Sequence, residues 1–175
     1  MHVLVATDGK LDITTTSAFA MNLAGATGRV TVLTVVEVPR MFLQDMRIRW
    51  GAANGFGVII DDQYVETPAV PQQAPRGWPG DDAIIARYLD DKLELYAAPL
   101  VGALVDAGVT AEGRVVESEN VARTILEQIG SLDADVVVIG SHGQGLFQGL
   151  LGSTGTKVVR RSSKPVLLIH TTPIG

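Results

Sequence analysis

Apolar residues recur along this chain in two alternating patterns. Short unbroken runs mark strands buried on both faces, and stripes at helical spacing mark the segments between them. Residues 2–6 (His-Val-Leu-Val-Ala) form the first run, the pattern of a strand inside a parallel sheet. Thr7-Asp8-Gly9 then marks a turn. A helix is predicted from about Thr14, with Phe19, Leu23 and Ala26 on one face, Ala20 and Ala24 beside it, and Gly28 as its stop. Residues 30–38 make a second strand, dense in β-branched side chains. Together these form a β–α–β unit, whose crossover should be right-handed.

Residues 39–80 hold no sustained period. They carry Gly51, Gly55 and Gly57, then Pro68, Pro71, Pro75 and Pro79. So long a connection is uncommon inside a compact domain. The apolar islands at 41–43 and 56–60, with Trp50 and Trp78, fit a contact arm. A mobile insertion is the alternative, and the residues leave both open.

Regular patterning returns at Asp81-Asp82, acids suited to the positive end of a helix. Ile84, Ile85, Tyr88, Leu89, Leu93, Leu95 and Tyr96 form its apolar stripe. Pro99 should interrupt the helix, which resumes through Leu100, Leu104 and Val105 to Gly108. Residues 109–116 read as a third strand. Residues 120–129 read as a helix that Ser118 or Asn120 could cap. Residues 136–139 read as a fourth strand. A helix over 154–162, capped by Ser153, precedes a fifth strand at 166–170. The order β-α-β-(arm)-α-β-α-β-α-β predicts an α/β fold: an open, doubly wound, five-stranded parallel sheet, Rossmann-like, with helices on both faces. It is read as a single domain over 1–175 with an arm at about 39–80.

Composition narrows the partners. At 46% hydrophobic and 19% charged residues the chain is globular, and its net charge of −5 argues against a general nucleic-acid binder. With no cysteine there is no disulfide or thiolate metal site. No window of about 18 unbroken apolar residues and no signal-like start occur, so a soluble cytoplasmic protein without a membrane partner is expected.

The chemistry concentrates in residues 140–154, Gly-Ser-His-Gly-Gln-Gly-Leu-Phe-Gln-Gly-Leu-Leu-Gly-Ser-Thr. A buried strand, a glycine-rich turn and a helix start are the parts of a phosphate cradle: glycine lets backbone N–H groups approach an anion, and the helix end adds positive partial charge. Ligands of such sheets bind beyond the carboxyl ends of the strands, where strand order reverses. The turns at 6–9 and 140–143 share one cleft if the first and fourth strands are neighbours.

These segments resemble the universal stress protein family, UspA-like proteins with an adenine-nucleotide α-hydrolase-like fold. Residues 3–9 (Val-Leu-Val-Ala-Thr-Asp-Gly) are similar to its first strand and aspartate turn, and residues 136–143 to its fourth strand and glycine loop. Gly152-Ser153-Thr154 and residues 164–169 complete the likeness, which covers 1–38 and about 83–170. The resemblance implies a homodimeric, ATP-binding regulatory protein of the stress response, pairing through its last strand and holding ATP with or without Mg²⁺. It implies that Asp8 meets the ribose or adenine, that the backbone of Val35 meets adenine, and that Gly140, Gly143, Gly152, Ser153 and Thr154 surround the phosphates.

Two departures from the family's ATP binders stand out. Eight residues separate Gly143 from Gly152 where the binders have nine, and Glu117 and Glu119 follow the third strand where many have a glycine. These acids would repel phosphates that they faced. Both departures support an alternative, a universal stress protein that binds no nucleotide and serves as a protein-interaction module through the arm. His142 has no acid partner or nucleophile nearby in sequence, and His2 and His170 lack ligand spacing, so no catalytic residue and no metal ligand is assigned. Walker and adenylation loops are absent. At most, slow hydrolysis of bound ATP is expected. Lys157, Arg160 and Arg161 read as a solvated helix face, and Lys10 and Ser141 as minor contributors to the loops.

Overall fold

A computed structural model describes residues 1–39, 41–53, 77–141 and 152–170. Gly143, His142 and most of the glycine stretch lie outside the described residues, as does the apolar island at 56–60. The chain divides into two compact units, Met1–Glu37 with Leu89–Gly175, and Val38–Tyr88.

The larger unit is a parallel sheet of five strands: β1 (His2–Ala6), β2 (Arg29–Val36), β3 (Thr110–Glu117), β4 (Val136–Ser141) and β5 (Val166–His170). Their order is β3-β2-β1-β4-β5, and every neighbouring pair is parallel. The helices are α1 (Ile13–Ala24), α2 (Phe42–Ala53), α3 (Asp81–Tyr96), α4 (Ala98–Asp106), α5 (Val121–Ser131) and α6 (Ser153–Arg161). Successive side chains of a strand point to opposite faces, so β1 and β4 feed two cores. Val3, Val5, Val136 and Val138 pack with Ala20 and Ala24 of α1 and Leu100 and Leu104 of α4. Leu4, Ala6, Val137 and Ile139 pack with Ala122, Ile125 and Ile129 of α5 and Val158 of α6. Burial on both faces is why the strand sequences are unbroken apolar runs, and the doubly wound α/β sheet is the fold the pattern predicts.

Several local expectations are corrected. The buried face of α1 is Thr16, Ala20 and Ala24. Phe19 is 49% exposed, because it sits about 100° around the helix from Ala20. Small residues let α1 lie close to the sheet, and Gly25 rather than Gly28 terminates it. Gly28 instead lets two backbone segments approach, since a Cβ there would lie 2.4 Å from the Met1 carbonyl oxygen. In α3, Leu95 is 62% exposed, outside the stripe that Leu93 continues into the core, and Val105 of α4 is also exposed. Pro99 does not kink one long helix. It stands in the first turn of α4 after a break at the fully buried Ala97.

His2 pins the amino ends of three strands. Its backbone N–H donates to Asp135 Oδ2 at 2.7 Å, its Nδ1 meets the Leu132 carbonyl at 2.9 Å, and its Nε2 meets Thr31 Oγ1 at 2.9 Å. The Thr31 hydroxyl in turn donates to Glu112 Oε1 at 3.2 Å. This histidine is structural, at the sheet end remote from the cleft described below.

In the smaller unit the irregular reading of the arm is corrected at residues 42–53, which form α2, while 54–76 lie outside the described residues. Its period is hidden in the sequence. Residues 42–50 are half-buried except Asp45 and Arg49, spaced i, i+4, and the polar Gln44 and Arg47 fall among the half-buried positions, which blurs the apolar stripe. Arg47 pairs with the Asp81 carboxylate at the start of α3, which its hydrogen bonds hold below the usual carboxylate range. The Trp78 indole N–H donates to the same carboxylate at 3.0 Å, and Trp50 meets Trp78 edge-on at 5.9 Å. Phe42 stacks tilted on Tyr88 at 4.5 Å.

Candidate functional site

The chain leaves β1 outward through β2 to β3, then returns to β4 and β5 on the other side of β1. The reversal opens a crevice at the carboxyl ends of β1 and β4, the place where open α/β sheets bind ligands. A cleft of about 290 Å³ lies there. That is near the lower end of the roughly 300–1,000 Å³ typical of small-molecule sites.

The first wall is the β1–α1 connection. Thr7 still pairs with the sheet, its N–H donating to the Leu33 carbonyl at 2.9 Å. Thr7 Oγ1 then accepts the Gly9 N–H at 3.0 Å, and Asp8 Oδ1 accepts the Lys10 N–H at 3.3 Å. These short-range bonds are the way Thr and Asp build turns. Gly9 has φ +84°, which glycine adopts without penalty. Asp8 lines the cleft, with Lys10 Nζ 3.3 Å from its Oδ2. Leu11 turns inward, and Asp12 caps α1 through the Thr15 N–H at 2.7 Å. Hydrogen bonding from Thr15, first from its side chain and then from its backbone N–H, holds the Asp12 carboxyl below its ordinary value.

The second wall comes from β4 and α6. Ile139 and Gly140 line the cleft, and the buried Ser141 ends the strand opposite His170 of β5. The chain is described again from Gly152, which occupies the N-cap position of α6 and offers no capping side chain. The expected cap, Ser153, is instead the first helical residue and is exposed. Thr154 and Gly155 line the cleft, and Val158 closes its floor with Ala6. Val35 of β2 and Val121, the first residue of α5, complete it.

Asp8, Val35, Gly140 and Thr154 therefore meet around one cleft. Gly152 and Ser153 stand beside it at the helix start without lining it, and Gly143 lies outside the described residues. Ala6 and Thr7 belong to the 6–9 turn expected there, whereas Leu11, Val121, Ile139, Gly155 and Val158 escaped the sequence reading. Most are small or apolar residues at strand ends and first helical turns, where only position distinguishes them from core.

Electrostatics divides the cleft into an apolar body and an anion-seeking edge. Among the described lining residues Asp8 alone is ionisable, and Lys10 offsets its charge. Three helices begin at this end of the sheet. Asp12 caps α1, and Asn120 caps α5 by accepting the Arg123 N–H at 3.2 Å, whereas α6 has no side-chain cap. Among the described residues no side chain caps its first N–H groups, and its positive partial charge lies at this end of the sheet. Glu117, the last residue of the edge strand β3, and Glu119 just beyond it are exposed and do not line the cleft. Lys157, Arg160 and Arg161 are also exposed and away from it.

The sequence model for the Universal stress protein family matches residues 62–170. A universal stress protein of Mycolicibacterium smegmatis is 34% identical over 138 residues, 72% of this chain. The chain spans about 44% of that relative's length. A universal stress protein from Archaeoglobus fulgidus in complex with dAMP superposes with a TM-score of 0.52 at 21% identity, covering 97% of each chain. A universal stress protein family member from Arabidopsis thaliana with AMP bound gives a TM-score of 0.54 at 14% identity, covering 99% of this chain and 93% of its own.

Proposed function

The chain belongs to the universal stress protein family, and from that premise we propose that it binds an adenine nucleotide in the cleft between β1 and β4 and acts as an ATP-responsive regulatory protein. One observation carries the reading: Asp8 and the first turn of α6, through Thr154 and Gly155, line the same crevice at the point of strand reversal. The apolar walls from Leu11, Val35, Val121 and Ile139 suit a purine, which binds through its flat faces and through backbone hydrogen bonds at its edge. Asp8 is suited to accept hydrogen bonds from ribose hydroxyls. The N–H groups of the first turn of α6, with the Thr154 hydroxyl, suit phosphate oxygens. The dAMP and AMP complexes of the two fold relatives support the nucleotide class. ATP fits by extending its outer phosphates along the α6 edge, with Gly140, Gly143, Gly152 and Ser153 as the glycine-loop contacts and any Mg²⁺ carried on the phosphates. This chemistry is holding rather than turnover.

The same proposal includes a homodimer through β5. This strand is a sheet edge built from Val166, Leu167, Leu168 and Ile169, and an apolar edge needs covering. Sedimentation should give twice the 18.5 kDa chain mass, and a monomer at micromolar concentration would rule the pairing out. Calorimetric titration with ATP and AMP tests the cleft. Asp8→Ala should weaken binding about tenfold, as loss of a hydrogen bond to a charged group does. Val121→Trp should abolish it by filling the cleft. Absence of heat from the native protein at millimolar nucleotide would end the proposal.

A further inference from the structure

Tyr96 stands outside the cleft, yet it touches the turn that carries Asp8. A Cβ built on Gly9 would lie 2.6 Å from Tyr96 Cδ1, 3.2 Å from Cγ and 3.3 Å from Cε1, so the ring rests directly on the Gly9 backbone. We propose that Tyr96 is a positioning residue that holds the 7–11 turn, and through it Asp8, in the conformation that receives the nucleotide ribose. This rests on the nucleotide reading of the cleft given above.

The turn gains from such a support. Its ends are fixed, by Thr7 in the sheet and by Asp12 at the α1 cap. Between them Asp8, Gly9 and Lys10 are exposed, and the bonds from the Gly9 and Lys10 N–H groups span two residues each, which sets the local shape of the turn. Tyr96 adds a tie to a distant part of the chain. It ends α3 beside the fully buried Ala97, and Ala97, Leu93 and Leu11 share the core on the α1–α4 side. The ring therefore backs the turn from the face opposite α5 and α6, which carry Val121, Thr154 and Gly155 to the cleft. Its orientation is also set from its own helix: Lys92 Nζ donates to the Tyr96 hydroxyl at 3.2 Å and lies 5.0 Å from the ring centroid. A flat ring fits against a glycine with no side chain, and nothing bulkier at position 9 leaves room for it. The pairing of Gly9 with Tyr96 is thus a matched contact between segments 87 residues apart.

The consequence is a division of labour. Asp8 meets the ligand, and Tyr96 meets the backbone beside it. Without the ring, the turn samples other conformations, and a binding-competent fraction of one tenth raises the apparent Kd about tenfold. The ring is what acts, so Tyr96→Phe should bind AMP within about twofold of the native protein while Tyr96→Ala loses about tenfold. In an Asp8→Ala background the Tyr96→Ala change should add less than about twofold, because its effect runs through Asp8. Amide exchange of the nucleotide-free protein gives a second readout. Gly9 and Lys10 should exchange at least about tenfold faster in Tyr96→Ala, with Val138 in the sheet unchanged, since local opening leaves the global core protected. If Tyr96→Ala does not fold, Tyr96→Leu keeps apolar volume without a flat ring and replaces it. Native AMP affinity in Tyr96→Ala, or an equal loss in the Asp8→Ala background, overturns the proposal. If the native protein binds no adenine nucleotide, the cleft reading falls by itself. Exchange at Gly9 and Lys10 then decides whether Tyr96 holds the turn, unchanged rates overturning that as well.

Discussion

Replacing Gly9 by alanine tests the tightest contact around the cleft. Two costs are combined at this position. The backbone sits at φ +84°, where an L-residue pays about 1–2 kcal/mol. The new methyl would also stand 2.6 Å from Tyr96 Cδ1, about 1 Å inside the comfortable carbon–carbon separation of roughly 3.5–4.0 Å. The struck atoms are the near side of the ring and not a flexible tip, so relief requires the ring or the turn to move. Overpacking of that kind costs about 1–3 kcal/mol. Gly9→Ala is therefore expected to destabilise the fold by about 2–5 kcal/mol, a large part of the roughly 5–15 kcal/mol typical of a domain.

Gly108 supplies the internal control. Its φ is +82°, nearly the same, but a Cβ there meets nothing within 4 Å. Gly108→Ala should cost only the conformational part, about 1–2 kcal/mol. The Gly9→Ala change made in a Tyr96→Ala background should fall to that same level. Urea unfolding followed by far-ultraviolet circular dichroism is the suitable assay. Both tryptophans, Trp50 and Trp78, lie in the Val38–Tyr88 unit, so their fluorescence would report that unit rather than the sheet. Equal costs at Gly9 and Gly108, with the Gly9–Tyr96 cycle additive to within about 0.5 kcal/mol, would refute the steric account.

Other outcomes follow from the same packing. Leu4→Ala, at a fully buried central-strand position, should cost about 2–5 kcal/mol in chemical denaturation, and a cost under about 1 kcal/mol would mean that the α5–α6 core is loosely packed. The Asp135 carboxyl is held below its ordinary value of 3.8, chiefly by the His2 backbone N–H. A carboxyl with a depressed folded pKa stabilises the fold above its unfolded value and loses that contribution as pH falls through the folded one. Asp135→Ala should therefore be less stable than the native protein at pH 7, with the gap closing below pH 3.8. A gap that stayed constant from pH 7 through the acid range would exclude the linkage.

How much of this was legible in the sequence varies with the range of the interaction. The central strands β1 and β4 were readable because burial on both faces leaves unbroken apolar runs such as Val136-Val137-Val138-Ile139. Asn120 was readable as one of two caps because a side chain reaching three residues ahead is a local event. Helix α2 was not, since its half-buried positions mix Phe42, Leu43, Met46, Ile48 and Trp50 with the polar Gln44 and Arg47, and only Asp45 and Arg49 are exposed to mark a period. Phe19 misleads because apolarity is not burial: the space between α1 and the sheet admits only residues such as Ala20 and Ala24. The cap at α6 falls one residue early, on Gly152, because a serine at a helix start fits either the cap or the first turn.

By itself, then, the sequence determined the alternation of strands and helices, the turn at Asp8, the glycine-rich chemistry near Gly140, and the family. These depend on backbone preferences and near neighbours, which a linear pattern carries. Only the tertiary structure decided that β1 lies between β2 and β4, and therefore that Asp8, Val35, Gly140 and Thr154 face one crevice. It alone brought Tyr96 onto Gly9. The physical reason is that strand order and ring-to-backbone contact are settled by packing between segments far apart in the chain. No local preference at either partner encodes the other.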